Sequence, residues 1–184
     1  NPIFGFTDGS VVFFDHVRRD WFSCTNTECT ASSQCPDNMA TRLANCDTER
    51  FQLWSTGTTG GFIMNGDIVY IKSDAPSGKW LSCDSGANEN TCKANSNCPN
   101  DASSRAHTGN SNPCRSQRFR LYNSFNSGPI MHGQTVYIES VRFNWLRCRR
   151  PPRNCDVQDG CGDRASNRAV TADTGSCTGS RMRI

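Results

Sequence analysis

The chain has 184 residues, with 20 Lys and Arg against 17 Asp and Glu, a net charge of +3, and only 20% charged residues. That length fits one ordinary domain with room for a core, and the near balance of charge excludes a protein drawn onto nucleic acid by its field. No apolar run reaches the roughly 18 residues of a membrane-spanning helix, and 12 cysteines read as six disulfides in an oxidising, extracellular compartment.

The first residue is Asn1, with no initiator Met and no apolar presegment, which predicts that a signal peptide or propeptide has been removed from a secreted protein. The first predicted element follows Gly9, where Val12 and Phe14 stand two apart, as residues on one face of a strand must. Trp21-Phe-Ser-Cys24 comes next. Cys29 and Cys35 are six apart, Arg42 lies seven after Cys35, and Cys46 lies five before Phe51 of Arg50-Phe-Gln-Leu53. The succession then returns. Gly66 precedes Val69 and Ile71, Trp80-Leu-Ser-Cys83 follows, Cys92 and Cys98 are six apart, and Arg105 and Cys114 lead to Arg118-Phe-Arg-Leu121. It returns again through Gly133, Val136, Ile138, Trp145-Leu-Arg-Cys148, Cys155, Cys161, Arg168 and Cys177, to Arg181-Met-Arg-Ile184.

Agreement at so many positions is an internal repeat, with units near 1–61, 62–128 and 129–184. The spacing is 59 residues from Cys24 to Cys83 and 65 from Cys83 to Cys148. The differences fall between the first and second cysteines and between the third and fourth, which marks those stretches as loops.

The second unit is the clearest. Asp67–Lys72, rich in β-branched and aromatic residues, is a strand, and Asp74-Ala-Pro-Ser-Gly78 is a turn. Lys79–Cys83 is a second strand, a weak third opens near Cys92, and Arg118–Tyr122 alternates with period two as the fourth. No segment holds a helical period for three turns. Four strands in three units make twelve, the number in a β-trefoil: a six-stranded barrel closed by three hairpins, which leaves no sheet edge. Ile184 is the last position of the third unit's fourth strand, which favours a closed object over an open solenoid.

The expected core is Val12, Phe14, Val69, Ile71, Val136 and Ile138 from the first strands, Phe22, Leu81 and Leu146 from the second, and Phe51, Leu53, Phe119, Leu121, Met182 and Ile184 from the fourth. Trp21, Trp80 and Trp145 lie on the opposite face, either as anchors under the hairpins or as platforms for sugars. The spacing also suggests disulfides between neighbours: Cys24–Cys29, Cys35–Cys46, Cys83–Cys92, Cys98–Cys114, Cys148–Cys155 and Cys161–Cys177. The first of each unit's two links would cross a hairpin and the second would hold a long polar loop. The rival nests the pairs, first with fourth and second with third.

With its Gly-x-x-Val-x-Ile, Trp-Leu-Ser and Arg-Phe-x-Leu segments, the whole chain resembles the β-trefoil superfamily. It is more similar to the cores of fascin-like and actin-crosslinking trefoils than to ricin-type lectins. The lectins carry Gln-x-Trp in each unit; Gln52-Leu-Trp54 fits once, Arg120-Leu-Tyr122 stands at the second position, and the third unit stops before its Trp could occur. In its neutral, cysteine-rich, extracellular character the chain also resembles a scaffold of an extracellular filament or biomineral, such as the partner protein of silica-forming filaments in sponges.

Catalytic chemistry is not legible. His16, His107 and His132 fall at different places in their units, and no zinc set, C-x-x-C, nucleophile elbow or phosphate loop is present. Asp156, Asp159 and Asp163 cluster loosely but do not match a calcium loop. The expectation is no enzyme, no cofactor and no metal.

The uneven feature is charge. Residues 1–61 carry four basic and seven acidic side chains, net −3, and residues 133–184 carry nine and five, net +4. Arg142 to Arg153 holds five arginines and no acid. Arg147, Arg149, Arg150 and Arg153 are the candidate binding residues, because the guanidinium fork suits carboxylate-rich partners: another extracellular protein, an acidic glycan or a mineral surface, and not nucleic acid. Two functions follow, a non-enzymatic extracellular scaffold that binds proteins, or a carbohydrate-binding lectin. The scaffold is favoured by the charge asymmetry and the broken Gln-x-Trp pattern, the lectin by the three tryptophans and the many amides.

Overall fold

The computed structural model describes residues 5–16, 20–33, 35, 46–56, 61–74, 78–83, 91–96, 114–125, 127–141, 144–148, 155–158 and 180–184. Among these the chain is all-β and antiparallel. The strands are β1 (Ser10–Phe13), β2 (Asp15–His16), β3 (Asp20–Cys24), β4 (Cys29–Ser33), β5 (Arg50–Ser55), β6 (Ile68–Ser73), β7 (Trp80–Cys83), β8 (Cys92–Ser96), β9 (Phe119–Asn123), β10 (Thr135–Ser140), β11 (Asn144–Cys148), β12 (Cys155–Gln158) and β13 (Met182–Arg183). A 3-10 turn at Arg115–Gln117 leads into β9. The thirteenth strand arises because the first unit's opening strand is interrupted at Phe14, whose carbonyl accepts a hydrogen bond from the Phe22 N–H (2.9 Å).

Neighbouring strands follow the path β1-β5-β6-β9-β10-β13-β2 and continue to β3 and β4, with β7–β8 branching from β6 and β11–β12 from β10. The path leaves from β1 and returns to β2, one residue further along the chain. The registers repeat. Phe51 faces Ser73 across β5–β6, Phe119 faces Ser140 across β9–β10, and Met182 faces His16 across β13–β2.

Three turns join the repeats at the opposite end from the hairpins. Each ends in a glycine with φ near 80°, a left-handed conformation that a β-carbon disfavours: Gly9 (78°), Gly66 (87°) and Gly133 (81°). Three residues before each glycine stand Phe6, Ile63 and Ile130, which hydrogen-bond to one another in a cycle. Phe6 N–H donates to Ile130 C=O (3.1 Å), Ile130 to Ile63 (2.8 Å) and Ile63 to Phe6 (2.7 Å). No helix or strand supplies this arrangement; it ties the three repeats directly.

All fifteen residues expected in the core are buried in one cluster. Ile63, Ile130, Ala31, Ala94 and Val157 join them, unforeseen. The small Ala31 and Ala94 pair with the bulky Phe22 and Leu81 across their hairpins, so the weak third strands contribute the small half of each couple. Residues of the Arg-Phe-x-Leu motif divide by face. Phe119 and Leu121 enter the core while Arg118, also buried, lies beside Tyr70. Burial pushes the Arg118 guanidinium below its ordinary range; Tyr70 opposes that shift, and Arg115 and Arg120 add to it by repulsion. In the first repeat Arg50 instead holds a carboxylate pair, bridging to Asp74 and to Asp47 (3.2 Å).

Four disulfides lie among the described residues, each between consecutive cysteines: Cys24–Cys29, Cys35–Cys46, Cys83–Cys92 and Cys148–Cys155. Three of them span directly paired positions of β3–β4, β7–β8 and β11–β12. Cys114 is also disulfide-bonded; Cys98, Cys161 and Cys177 lie outside the described residues.

Candidate functional site

The three repeated tryptophans are buried, at 9, 2 and 1% exposure for Trp21, Trp80 and Trp145. Each packs on an aromatic residue of its own repeat's first strand. Trp21 meets Phe13 edge-on at 6.3 Å, Trp80 meets Tyr70 edge-on at 6.2 Å, and Trp145 clusters with Tyr137. Cys35 and Cys46 pack on the first pair and Cys114 on the second. The Lys72 ammonium lies 5.7 Å from the Trp80 ring centre. A third aromatic side chain, from the end of a fourth strand, completes two of the three clusters: Trp54 joins Tyr70 and Trp80, and Tyr122 joins Tyr137 and Trp145. These rings pack as anchors on their own repeats, and Trp21 also shows an edge to the cleft described below.

Of the candidate basic residues, Arg147 is half-buried on β11, opposite Asp156 on β12. Arg149, Arg150 and Arg153 lie outside the described residues, as do Arg142, Asp159, Asp163 and His107. His16 is buried in β2, whereas His132 is exposed beside Gly133. Among the described residues no group of three or more His, Cys, Asp or Glu is placed to hold a metal.

A cleft of about 310 Å³ opens where β1 and β2 meet β13, at the small end of ligand-sized concavities. Its apolar lining includes Phe6, Val11, Phe13, Trp21 and Ile184, and Asp15, His132 and Arg183 bring polar groups to it. Arg183 and Asp15 are register partners across β13–β2. Val11 is unusual for a valine in a strand, 42% exposed. Sequence reasoning does not find this cleft, whose lining comes from residues far apart in the chain, from Phe6 to Ile184.

No family model matches the chain, and no curated protein does. Among solved structures it is similar to a Caenorhabditis elegans protein of unknown function, at 12% identity and a TM-score of 0.59, over 97% of this chain and 94% of that one. Similarity at that identity concerns the fold alone. No helix among the described residues is long and apolar enough to cross a membrane.

Proposed function

We propose that this protein is a secreted β-trefoil that acts as a non-enzymatic, protein-binding scaffold of an extracellular filament or mineral matrix. The trefoil reading is supported by the strand path that leaves β1 and returns to β2, by the three hairpins on β2, β6 and β10, and by the cyclic hydrogen bonds of Phe6, Ile63 and Ile130. Secretion is supported by the disulfides, which persist in oxidising compartments.

The observation that carries the scaffold over the lectin is the burial of Trp21, Trp80 and Trp145. A sugar platform must offer a ring face to solvent; Trp80 and Trp145 are packed against protein, and Trp21, at 9% exposure, shows only a small part of its ring to the cleft. What the repeats do not share is charge, and an unshared feature is where a pseudo-symmetric scaffold differentiates one side for a partner. The basic stretch of the third repeat, Arg147, Arg149, Arg150 and Arg153, is the segment assigned to an acidic partner on its charge in the sequence.

The test is a pull-down from the native extracellular material beside a glycan array. The reading expects a protein partner whose capture weakens in Arg149→Glu/Arg150→Glu and falls with salt in the wild type. Saturable glycan binding that is indifferent to those reversals would establish the lectin instead.

A further inference from the structure

The first and second repeats carry opposite charge at the same places of the same fold. β2 and β3 of the first correspond to β6 and β7 of the second. Asp15 is the register partner of Trp21 as Lys72 is of Trp80. Asp20 stands immediately before Trp21 as Lys79 stands immediately before Trp80. Asp20 pairs with His16, and the Lys79 carbonyl accepts the N–H of Ser73, the residue at the His16 position (2.8 Å).

A third position reverses in the same way. Asp47 follows Cys46 and Arg115 follows Cys114, each four residues before a core phenylalanine, Phe51 or Phe119. Cys46 packs with Phe13 and Trp21, and Cys114 with Tyr70 and Trp80. Asp15, Asp20 and Asp47 therefore border one tryptophan cluster, and Lys72, Lys79 and Arg115 border its counterpart. None of the six is buried. Exposed Glu28 extends the acidic side at the β3–β4 hairpin, and Lys93 extends the basic side on β8, where β4 has Thr30.

Neighbouring groups temper this contrast without cancelling it. Arg183 stands opposite Asp15, and Arg50 bridges Asp47 (3.2 Å). In the second repeat Lys72 stands opposite neutral Gln52, and the nearby Asp74 is held by Arg50 and by the Gln52 amide (3.1 Å). The third repeat has neither sign throughout: Glu139 is at the Asp15 position, Asn144 at the Asp20 position and Thr178 at the Asp47 position. The strands form with all three patterns, so folding does not dictate the charges. Two faces on one backbone plan with reversed charge are complementary to each other, and the fold of a single copy keeps them on separate hairpins.

We propose that the chain binds a second copy of itself head to tail, with the acidic face of the first repeat against the basic face of the second. The contact joins two different surfaces, so a copy that has used one still offers the other, and association continues into a chain or ring. Each exposed ion pair contributes little, which makes the contact weak, steered by charge and dissolved by salt. The inference rests on the scaffold reading and deepens it by making the protein partner a copy of this chain. It does not use the basic stretch of the third repeat.

The test is sedimentation velocity of the intact, oxidised protein. At low salt the weight-average mass should rise between about 10 μM and about 0.5 mM protein, and about 0.5 M sodium chloride should return it to the monomer. Asp20→Lys/Asp47→Arg makes both faces basic, and Lys79→Asp/Arg115→Asp makes both acidic. Each replacement is the residue that the other repeat carries at that place, apart from its partners. Each double variant alone should associate at least about tenfold more weakly than the wild type. An equal mixture of the two should associate again, because every basic face then meets an acidic one. The single reversals Asp20→Lys and Lys79→Asp repeat the test if a double variant loses its native near-ultraviolet spectrum. A wild type that stays monomeric at low salt, association that survives the reversals, or a mixture that stays monomeric would each overturn the proposal. Arg149→Glu/Arg150→Glu should self-associate as the wild type does, so failure of the basic stretch and failure of the paired faces are read separately.

Discussion

Trp145 illustrates how a residue prominent in the sequence is used. It is 1% exposed and lies against Tyr122 with ring centres 5.6 Å apart, so removing it deletes both a large buried side chain and an aromatic pair. Trp145→Ala should cost about 3–5 kcal/mol, read as a fall in the urea midpoint at constant slope. Trp54→Ala, at a half-exposed position, should cost distinctly less; equal losses would contradict the anchor role assigned to Trp145. The glycines act through the backbone. Gly66→Ala forces a β-carbon into φ 87°, at about 1–2 kcal/mol, and Gly133→Ala should lose a similar amount, because the strain is local. Core residues such as Val69 and Ile71 were legible because alternation with period two marks a strand face. Ile63 and Ile130 were not, because each is one apolar residue ahead of a turn, with no period to announce it. Only their shared offset from Gly66 and Gly133 carried the information.

At the scale of elements, hairpins and their staples have separable effects. Cys24–Cys29 closes a 5-residue separation at paired positions of β3 and β4, and Cys35–Cys46 closes 11. Loop-closure entropy assigns about 2 kcal/mol to the first and about 3 kcal/mol to the second. The double variants Cys24→Ser/Cys29→Ser and Cys35→Ser/Cys46→Ser should lower denaturant midpoints in that order. The second should lose the more, because Cys35 and Cys46 also pack against Phe13 and Trp21. The reverse order would show that cross-strand geometry outweighs chain entropy here. The third strands were the hardest to see: Cys29-Thr-Ala-Ser-Ser33 reads as loop by composition, and it is a strand because Ala31 opposes Phe22 in a tight hairpin. The cleft was hidden for a different reason. Its residues come from the first and third repeats, Val11 and Phe13 from one and His132 and Ile184 from the other, and no local pattern joins them. The partial Gln-x-Trp motif pointed toward sugars, whereas Trp54 is a packing residue in contact with its neighbour's cluster.

The whole molecule depends on contacts that no single repeat can make. The backbone cycle of Phe6, Ile63 and Ile130 takes one residue from each repeat. β6 pairs with β5 of the first repeat and β9 of its own, and the buried cluster draws on all three. Removing one repeat therefore strips hydrogen-bonded partners from the strands on either side and opens the core along its length. A fragment of residues 62–128 would keep β6 to β9 but lose the β5 and β10 ladders and the facing apolar residues from both neighbours. It would also be near the size at which a lone core becomes marginal. The expected outcome is that the intact protein with its disulfides formed unfolds in one transition, with coincident far- and near-ultraviolet circular dichroism. The 62–128 fragment, oxidised to its own disulfides, should show no cooperative melt. A fragment that melts cooperatively, or a full-length protein whose two signals separate into steps, would mean that the repeats are independent units and that the cycle at their junction is incidental to stability.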